Sequence, residues 1–366
     1  MKKALATIVL ALLAGGGAAR AALAMEGVPR YDHIFVIIAE NKSFARMAAH
    51  PEWAPNLTRL AAQYGSATSF YAETHPSEPN YVAMLGGDTF GIRDDDAYYC
   101  KQGMKDSFCG RTGRAGYADH SISARSLTDQ LSEHQLSWKG YLEDLPAPGS
   151  LMPQWPNAEH PAADKPLDLY AAKHNGFINF VSAHDAPERE RMAHLVGFEQ
   201  LYADLASGGL PNYAEIVPNQ CNDMHGLSGA NVPADCHGTE ALVRRGDAEI
   251  GMLAGRIMQS PAWGQGNFAI VITFDEDDGA FGGGPQGCCG YDPSSPANFG
   301  GGRIMTLVVT NHGPHPIADP TPYNHYSLLR TVEDAFGISE HLRHAGDSDK
   351  GVVAMAPLFA PGSREP

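Results

Sequence analysis

The chain of 366 residues is short of positive charge: 26 Lys and Arg stand against 42 Asp and Glu, a formal net charge of −16. Such a field repels nucleic acid and anionic lipid head groups at long range, so no nucleic-acid partner is expected. A phosphate-bearing substrate would need a local cation to draw it in. After the first residues there is no apolar run near the roughly 20 residues that cross a bilayer. No C-x-x-C pair occurs, which argues against a thiolate metal cluster. H-E-x-x-H and G-x-S-x-G are both missing, which removes the zinc-protease helix and the nucleophile elbow of α/β-hydrolases. GGGPQG at 282–287 fits a dinucleotide fingerprint only formally, since acids precede it and no helix follows. A calcium-loop reading of the acids before it fails at Gly279, and no internal repeat is visible.

What is present begins with a leader. Lys2 and Lys3 precede an apolar run from Ala4 to Leu13, and Ala22-Leu23-Ala24 is an A-x-A cleavage site. Residues 1–24 read as a secretory signal peptide, and 25–366 as one catalytic domain with loop insertions. The run is too short for an anchor, so the expected location is exported, periplasmic or extracellular, with no stable membrane anchor after cleavage. The leader carries Lys2, Lys3 and Arg20 and no acid, so its removal leaves a still more negative chain. Six cysteines in an exported chain suggest disulfides. Cys100 with Cys109 and Cys221 with Cys236 are the first pairs to expect; the adjacent Cys288 and Cys289 form a vicinal bridge or stay free.

Five runs read as strands buried on both faces: HIFVIIAEN, FINFVSAHD, YAEIVPNQCNDMHG, FAIVITFDEDDG and RIMTLVVTNH. Helical patterns separate them. NLTRLAAQYG closes on Gly65, SLTDQLSEHQ opens on Ser126 with Asp129 three residues on, a helix starts at Asp247, and HYSLLRTVEDAFG ends at Gly337. This alternation predicts an α/β fold, a three-layer α/β/α sandwich around a mostly parallel sheet. The Gly/Pro/Asp-rich stretches 86–120, 145–166 and 279–302 are expected as insertions near the site.

In an open α/β sheet, ligands bind beyond the carboxyl ends of the strands. Glu40 and Asn41 end one run, and Asp275, Glu276, Asp277 and Asp278 end another. Four consecutive acids form either a solvated loop or half of a cation site. Their position just after VITF favours a divalent metal held by Asp275 and Glu276 together with Glu40 and Asn41. Ser77, in ETHPSEPNY, sits where a helix N-cap belongs, before Pro79. A cap position also suits an anion, so Ser77 can be both a cap and a metal-assisted nucleophile. His174, His225 and His325 each lie in a polar loop beside a regular element; sixteen histidines in all make bystanders certain, His50 and His160 among them.

ENKSF, THPSEPNYVAMLGG, SLTDQLSEHQLSWKGYLED, KHNGF, PNQCNDMHG, VITFDEDDG and YNHYSLLRTVEDAFGI together resemble the phosphoesterase family, in the family's order, from about Tyr31 to Ile338. That family contains secreted acid phosphatases and phospholipases C and belongs to the alkaline phosphatase superfamily. The resemblance implies a three-layer, alkaline phosphatase-like core and a metal-dependent Ser or Thr nucleophile. By position, Glu40 and Asn41 match the first metal-binding pair, Ser77 the nucleophile, and Asp275 and Glu276 the second acidic pair. His174, Asp223, His225 and His325 match polar positions of the site. Where lipases of the family continue into an Asp-His pair, this chain continues into GAFGGGPQGCCGYDPSS; the departure argues against a second metal and a lipase-like site.

The expected function is a secreted, metal-dependent phosphomonoesterase of the acid phosphatase type. It would hydrolyse small-molecule phosphate esters through a phosphoserine on Ser77, with His225 or His325 protonating the leaving oxygen. A phospholipase C-type phosphodiesterase is the alternative, and a non-catalytic metal- or phosphate-binding exported protein the second. Oxygen ligands favour Mg²⁺, Ca²⁺ or Mn²⁺, and nearby histidines widen the choice to Zn²⁺ or Fe.

Overall fold

Seven consecutive residues, His33–Ala39, form the strand on which the site is built, and six of them are buried. β-branched and aromatic side chains on both faces leave this strand no solvated side, so it lies in the interior of the sheet. The computed structural model describes residues 25–156, 167–229, 231–279, 286–290 and 300–361. The expected signal peptide and most of the GGGPQG loop lie outside them.

The main sheet has nine strands. In chain order they are β1 (His33–Ala39), β2 (Gly65–Tyr71), β3 (Trp138–Leu142), β4 (Leu195–Val196), β5 (Tyr213–Val217), β6 (Phe268–Phe274), β7 (Arg303–Thr310), β8 (Ala318–Asp319) and β9 (Tyr323–Asn324). They lie in the order β8-β2-β7-β6-β1-β5-β3-β4, with β9 also paired to β2. β1 is parallel to both its neighbours, β5 and β6. Only β7 runs against its neighbours, β2 and β6. Helices cover the sheet: α1 (Pro55–Gln63), α2 (Glu78–Gly86), α3 (Leu127–Glu133), α4 (Phe198–Ser207), α5 (Thr239–Met258) and α6 (His325–Phe336). The α/β architecture is therefore as expected. One continuous apolar core runs through it, in which each fully buried Ile or Phe contributes about 1.5–3 kcal/mol.

Local rules hold where they are strongest. Ser126 and Asp129 close a capping box on α3, and Gly337 ends α6 in the left-handed conformation. All three disulfides form, Cys100–Cys109, Cys221–Cys236 and the vicinal Cys288–Cys289. Among the described residues no helix is long and apolar enough to cross a membrane.

Three expectations need correction. FINFVSAHD is not a strand: Gly176–Asn179 is a 3₁₀ turn and Val181–His184 a short helix. Its apolar residues are buried as a strand's would be, but Phe177 stacks on Trp138, and a Cβ on Gly176 would lie 2.7 Å from the Tyr81 backbone. The segment is a plug under α2. Secondly, α5 starts at Thr239, so Asp247 is in mid-helix. Its carboxylate accepts from Leu57 N at 2.8 Å and Asn56 N at 3.1 Å. Asp247 thus caps α1 from across the core, where Ala54 has no side-chain oxygen to do so. Thirdly, Gly65 does not merely stop a helix. It opens β2, and both β2 and β3 went unanticipated.

Candidate active site

Ala39 pairs with Phe274 in register, so Glu40 and Asp275 step off β1 and β6 side by side. Asp275 N donates to Ala39 O at 2.9 Å, and Asn41 N to Asp275 Oδ1 at 3.0 Å. On the other flank the loop after β5 brings back Asp223, whose carbonyl accepts from Glu40 N at 2.7 Å. Three adjacent parallel strands thus deliver three acids to one point. Glu40, Asp223 and Asp275 are all fully buried, and Glu276 is 5 % exposed.

Ser77 arrives from the loop between β2 and α2. Asn80 ties that loop to the helix: its amide oxygen accepts from Glu73 N and Thr74 N, and its nitrogen donates to Thr74 O and Pro76 O. Ser77 occupies the N-cap position but is already helical and caps nothing. The freed hydroxyl points away from the helix, donating to Glu40 Oε2 at 3.0 Å with Glu276 Oε1 at 3.4 Å. Capping falls instead to Asp95, which accepts from Glu78 N at 3.1 Å.

The remaining partners close the cluster. Tyr81 donates to Glu40 Oε1 at 2.7 Å, and Asn41 Nδ2 to Glu40 Oε2 at 2.8 Å. His174, at the end of a 3₁₀ turn, stands with Nε2 3.3 Å from Glu40 Oε1 and Nδ1 3.2 Å from Asp223 Oδ2. His225 N donates to Asp223 Oδ1 at 2.7 Å, and its ring Nδ1 is 2.7 Å from Gly226 O. The Cys221–Cys236 bridge clamps the loop that carries both residues. On the far side His75 Nδ1 pairs with Glu276 Oε2, and His75 Nε2 lies 3.5 Å from Asp277 Oδ1. Gly302, at φ +82°, lets the chain pass Asp277: a Cβ there would lie 2.0 Å from Asp277 Oδ2. An open groove of about 570 Å³ leads to the cluster, lined by Asn41, Lys42, Arg46, His75, His225 and Asp277 among others.

Electrostatics mark the cluster as incomplete by itself. Burial, reinforced by Asp275 and Asp223, holds Glu40 well above the usual carboxylate range. Burial also raises Asp223 and Asp275, and pushes Glu276 up to about 7. Burial and the Lys173 charge lower His174 well below its usual range and His225 to about 4. Neutral imidazoles beside crowded carboxylates are what a divalent cation accepts. Several buried polar atoms also lack an aligned hydrogen-bond partner: His174 Nε2, Asp223 Oδ2 and Asp275 Oδ2. The ligand atoms of Glu40, His174 and His225 all lie within 4.8 Å of one another, a triad able to hold a divalent ion. The donor set fits a metal.

Of the residues expected from sequence, Glu40, Asn41, Ser77, Asp275 and Glu276 come together, with His174, Asp223 and His225 on the other side of Glu40. His325 stays apart: it begins α6, fully buried, with Nε2 3.1 Å from Phe274 O and its ring against Phe70. His184 and Asp185, at the end of the supposed strand, also lie elsewhere; His184 Nδ1 contacts Ile178 O. Sequence reasoning missed His75, Tyr81, Asp95 and Lys173. His75, Tyr81 and Lys173 stand inside quoted motifs, His75 two residues before Ser77 and Lys173 one before His174. Nothing in spacing alone singles out Asp95.

Parallel strands that end in acids face a serine at a helix start, within an α/β/α sandwich. A protein of the alkaline phosphatase superfamily from Vibrio parahaemolyticus shares the fold at TM-score 0.52 and 13 % identity, over 93 % of this chain and 73 % of that one. The Phosphoesterase family profile matches residues 50–339, and the chain belongs to that family. Glu40 and Asn41 precede the matched span. The chain is 28 % identical to a phosphatidylinositol-3-phosphatase of Mycobacterium tuberculosis, covering 88 % of this chain and 83 % of that protein. It is 31 % identical to an acid phosphatase of Aspergillus fumigatus, over 86 % of this chain and 56 % of that protein. The chain thus spans little more than half of the fungal relative.

Proposed function

We propose that this chain is an exported, metal-dependent phosphomonoesterase of the acid phosphatase type that acts on small phosphate esters through a phosphoserine. One observation carries the reading: the Ser77 hydroxyl, released from capping, bonds to Glu40 and faces Glu276 inside a buried group of carboxylates. The names of the curated relatives support monoesters as substrates, and three disulfides support export.

Glu40, Asn41, Ser77, Asp275 and Glu276 would hold the ion. A divalent ion there supplies a lowered pKa for the serine hydroxyl and positive charge against the phosphate. Ser77 Oγ gives up its proton to solvent in the groove and attacks phosphorus, and the bond to the ester oxygen breaks. Asn41, which lines the groove, meets the phosphoryl oxygens, since the first N–H groups of α2 are already engaged, Glu78 N by Asp95 and Asn80 N by the Ser77 carbonyl. The leaving oxygen departs into the groove, where His75 is the proposed proton donor in place of His225 or His325. His325 is sealed against Phe274 O, and the His225 Nδ1 proton is committed to Gly226 O. His75 is 38 % exposed and is oriented by Glu276. Water then releases phosphate from Ser77.

Purified protein with added Mg²⁺, Mn²⁺, Ca²⁺ or Zn²⁺ should hydrolyse p-nitrophenyl phosphate faster than p-nitrophenyl phosphorylcholine, and Ser77→Ala should abolish it. Faster cleavage of the choline diester would turn the reading to a phospholipase C-type enzyme. Hydrolysis of neither, with any of the ions, would leave a binding protein.

A further inference from the structure

Glu40 belongs to two donor sets at once. Its Oε2 faces Ser77 and Asn41, and its Oε1 faces His174, with His225 beyond. Each set could in principle take an ion. The histidine set, however, already has a cation seated on it. Lys173 Nζ lies 3.0 Å from His225 Nε2 and 3.3 Å from Asp95 Oδ2.

The tautomer follows from the partners. Gly226 O can only accept, so His225 Nδ1 carries the ring proton. An ammonium can only donate, so Nε2 offers its lone pair to Lys173. That lone pair serves one partner at a time, an N–H or a metal. Lys173 is also not a loose surface lysine. Asp95 grips it with Oδ2 while Oδ1 accepts from Glu78 N, the first N–H after Ser77. The ammonium is therefore fixed relative to the serine as well as to the histidine. The other lysine nearby is employed differently: Lys42 Nζ donates to the carbonyls of Asn41 and Met224 at 2.9 and 2.8 Å.

We propose that Lys173 is a built-in cation that occupies the histidine side of the site, so that the chain loads one divalent ion, on the Ser77 side of Glu40, and not two. The inference rests on the metal-dependent reading above. The charge of a second ion is supplied by the protein, while His174 and His225 serve to hold Lys173 and Glu40 in place.

The test is ion stoichiometry, not turnover. Protein stripped with EDTA is loaded with excess Zn²⁺ or, separately, Mn²⁺, passed through a desalting column and measured for metal per chain. The expected result is one ion for the natural protein, two for Lys173→Met, and one again for Lys173→Met with His225→Ala. His225→Ala alone should keep one ion, with its Kd, read by calorimetry, changed by less than about threefold. Two ions on the natural protein, one on a folded Lys173→Met, or loss of the ion from His225→Ala would each overturn the proposal. The His225→Ala arm decides the matter even where Lys173→Met does not fold. No ion on the natural protein would instead sink the metal-dependent function itself, and this inference with it.

Discussion

Ser77 Oγ lies 3.0 Å from Glu40 Oε2, although 37 positions separate the two residues. The contact exists because Asp95, not Ser77, caps α2. Capping, which the Ser77 hydroxyl could have supplied, falls to Asp95, and the proposed mechanism uses the hydroxyl so released as nucleophile. Ser77→Ala should therefore remove activity while leaving the helix capped. We expect kcat to fall by at least about 10³-fold, in line with loss of a nucleophile, with Tm within a few degrees. A steady-state assay beside a thermal melt checks both, and a large drop in Tm would return Ser77 to a structural role.

His75 separates two mechanisms. If it gives the proton to the leaving oxygen, His75→Asn should lower kcat about 10²–10⁴-fold for alkyl phosphates. The loss should be much smaller for p-nitrophenyl phosphate, whose phenolate leaves without help. An equal loss on both substrates would assign His75 to phosphate binding.

Glu40 is costly to the fold without an ion. Glu40→Gln removes from a buried group of acids a carboxyl whose ionisation burial disfavours, so the metal-free variant should melt higher than the metal-free natural protein. Adding an ion at 100 times its Kd should stabilise the natural protein by about 2.7 kcal/mol and leave the variant unmoved. Differential scanning calorimetry with and without EDTA reads both effects.

The Cys221–Cys236 bridge spans a sequence separation of 15 residues and clamps the loop bearing Asp223 and His225. Replacing both cysteines by alanine should cost about 3 kcal/mol of stability. Activity should fall further than the folded fraction does, because the loop that supports Glu40 through the Asp223 carbonyl loosens. Denaturant melts and kcat on the same samples separate the two.

Glu215 gives a pH dependence free of the site. It is buried in β5, accepts from Tyr213 OH at 2.8 Å, and burial raises it to about 8. A carboxyl raised in the folded state is favoured protonated. Its cost to stability therefore begins above the unfolded value of about 4.3 and grows until about pH 8. Glu215→Gln should nearly match the natural protein at pH 4 and exceed it by up to about 4 kcal/mol at pH 8. An equal difference at both pH values would contradict this.

Much of this molecule was legible in one dimension, and the failures have a common cause. The runs ending in Glu40, Asp275 and the 213–226 segment were readable as buried strands, because continuous β-branched and apolar residues suit a strand covered on both faces. FINFVSAHD carries the same signal and is a plug, since burial on all sides does not by itself select a strand. Asp247 looked like a helix start because a mid-helix acid that caps a different helix leaves no local trace.

Residue order alone settled the alternation of strands and helices, the acids at the strand ends and the serine ahead of a proline-started helix, because each is set by local propensity and periodicity. Folding in three dimensions decided which way the Ser77 oxygen points, that His325 stays out and His75 comes in, and that a lysine sits on His225. Those outcomes depend on competition among partners tens to hundreds of positions apart for the same few hydrogen bonds, and no local pattern records who wins.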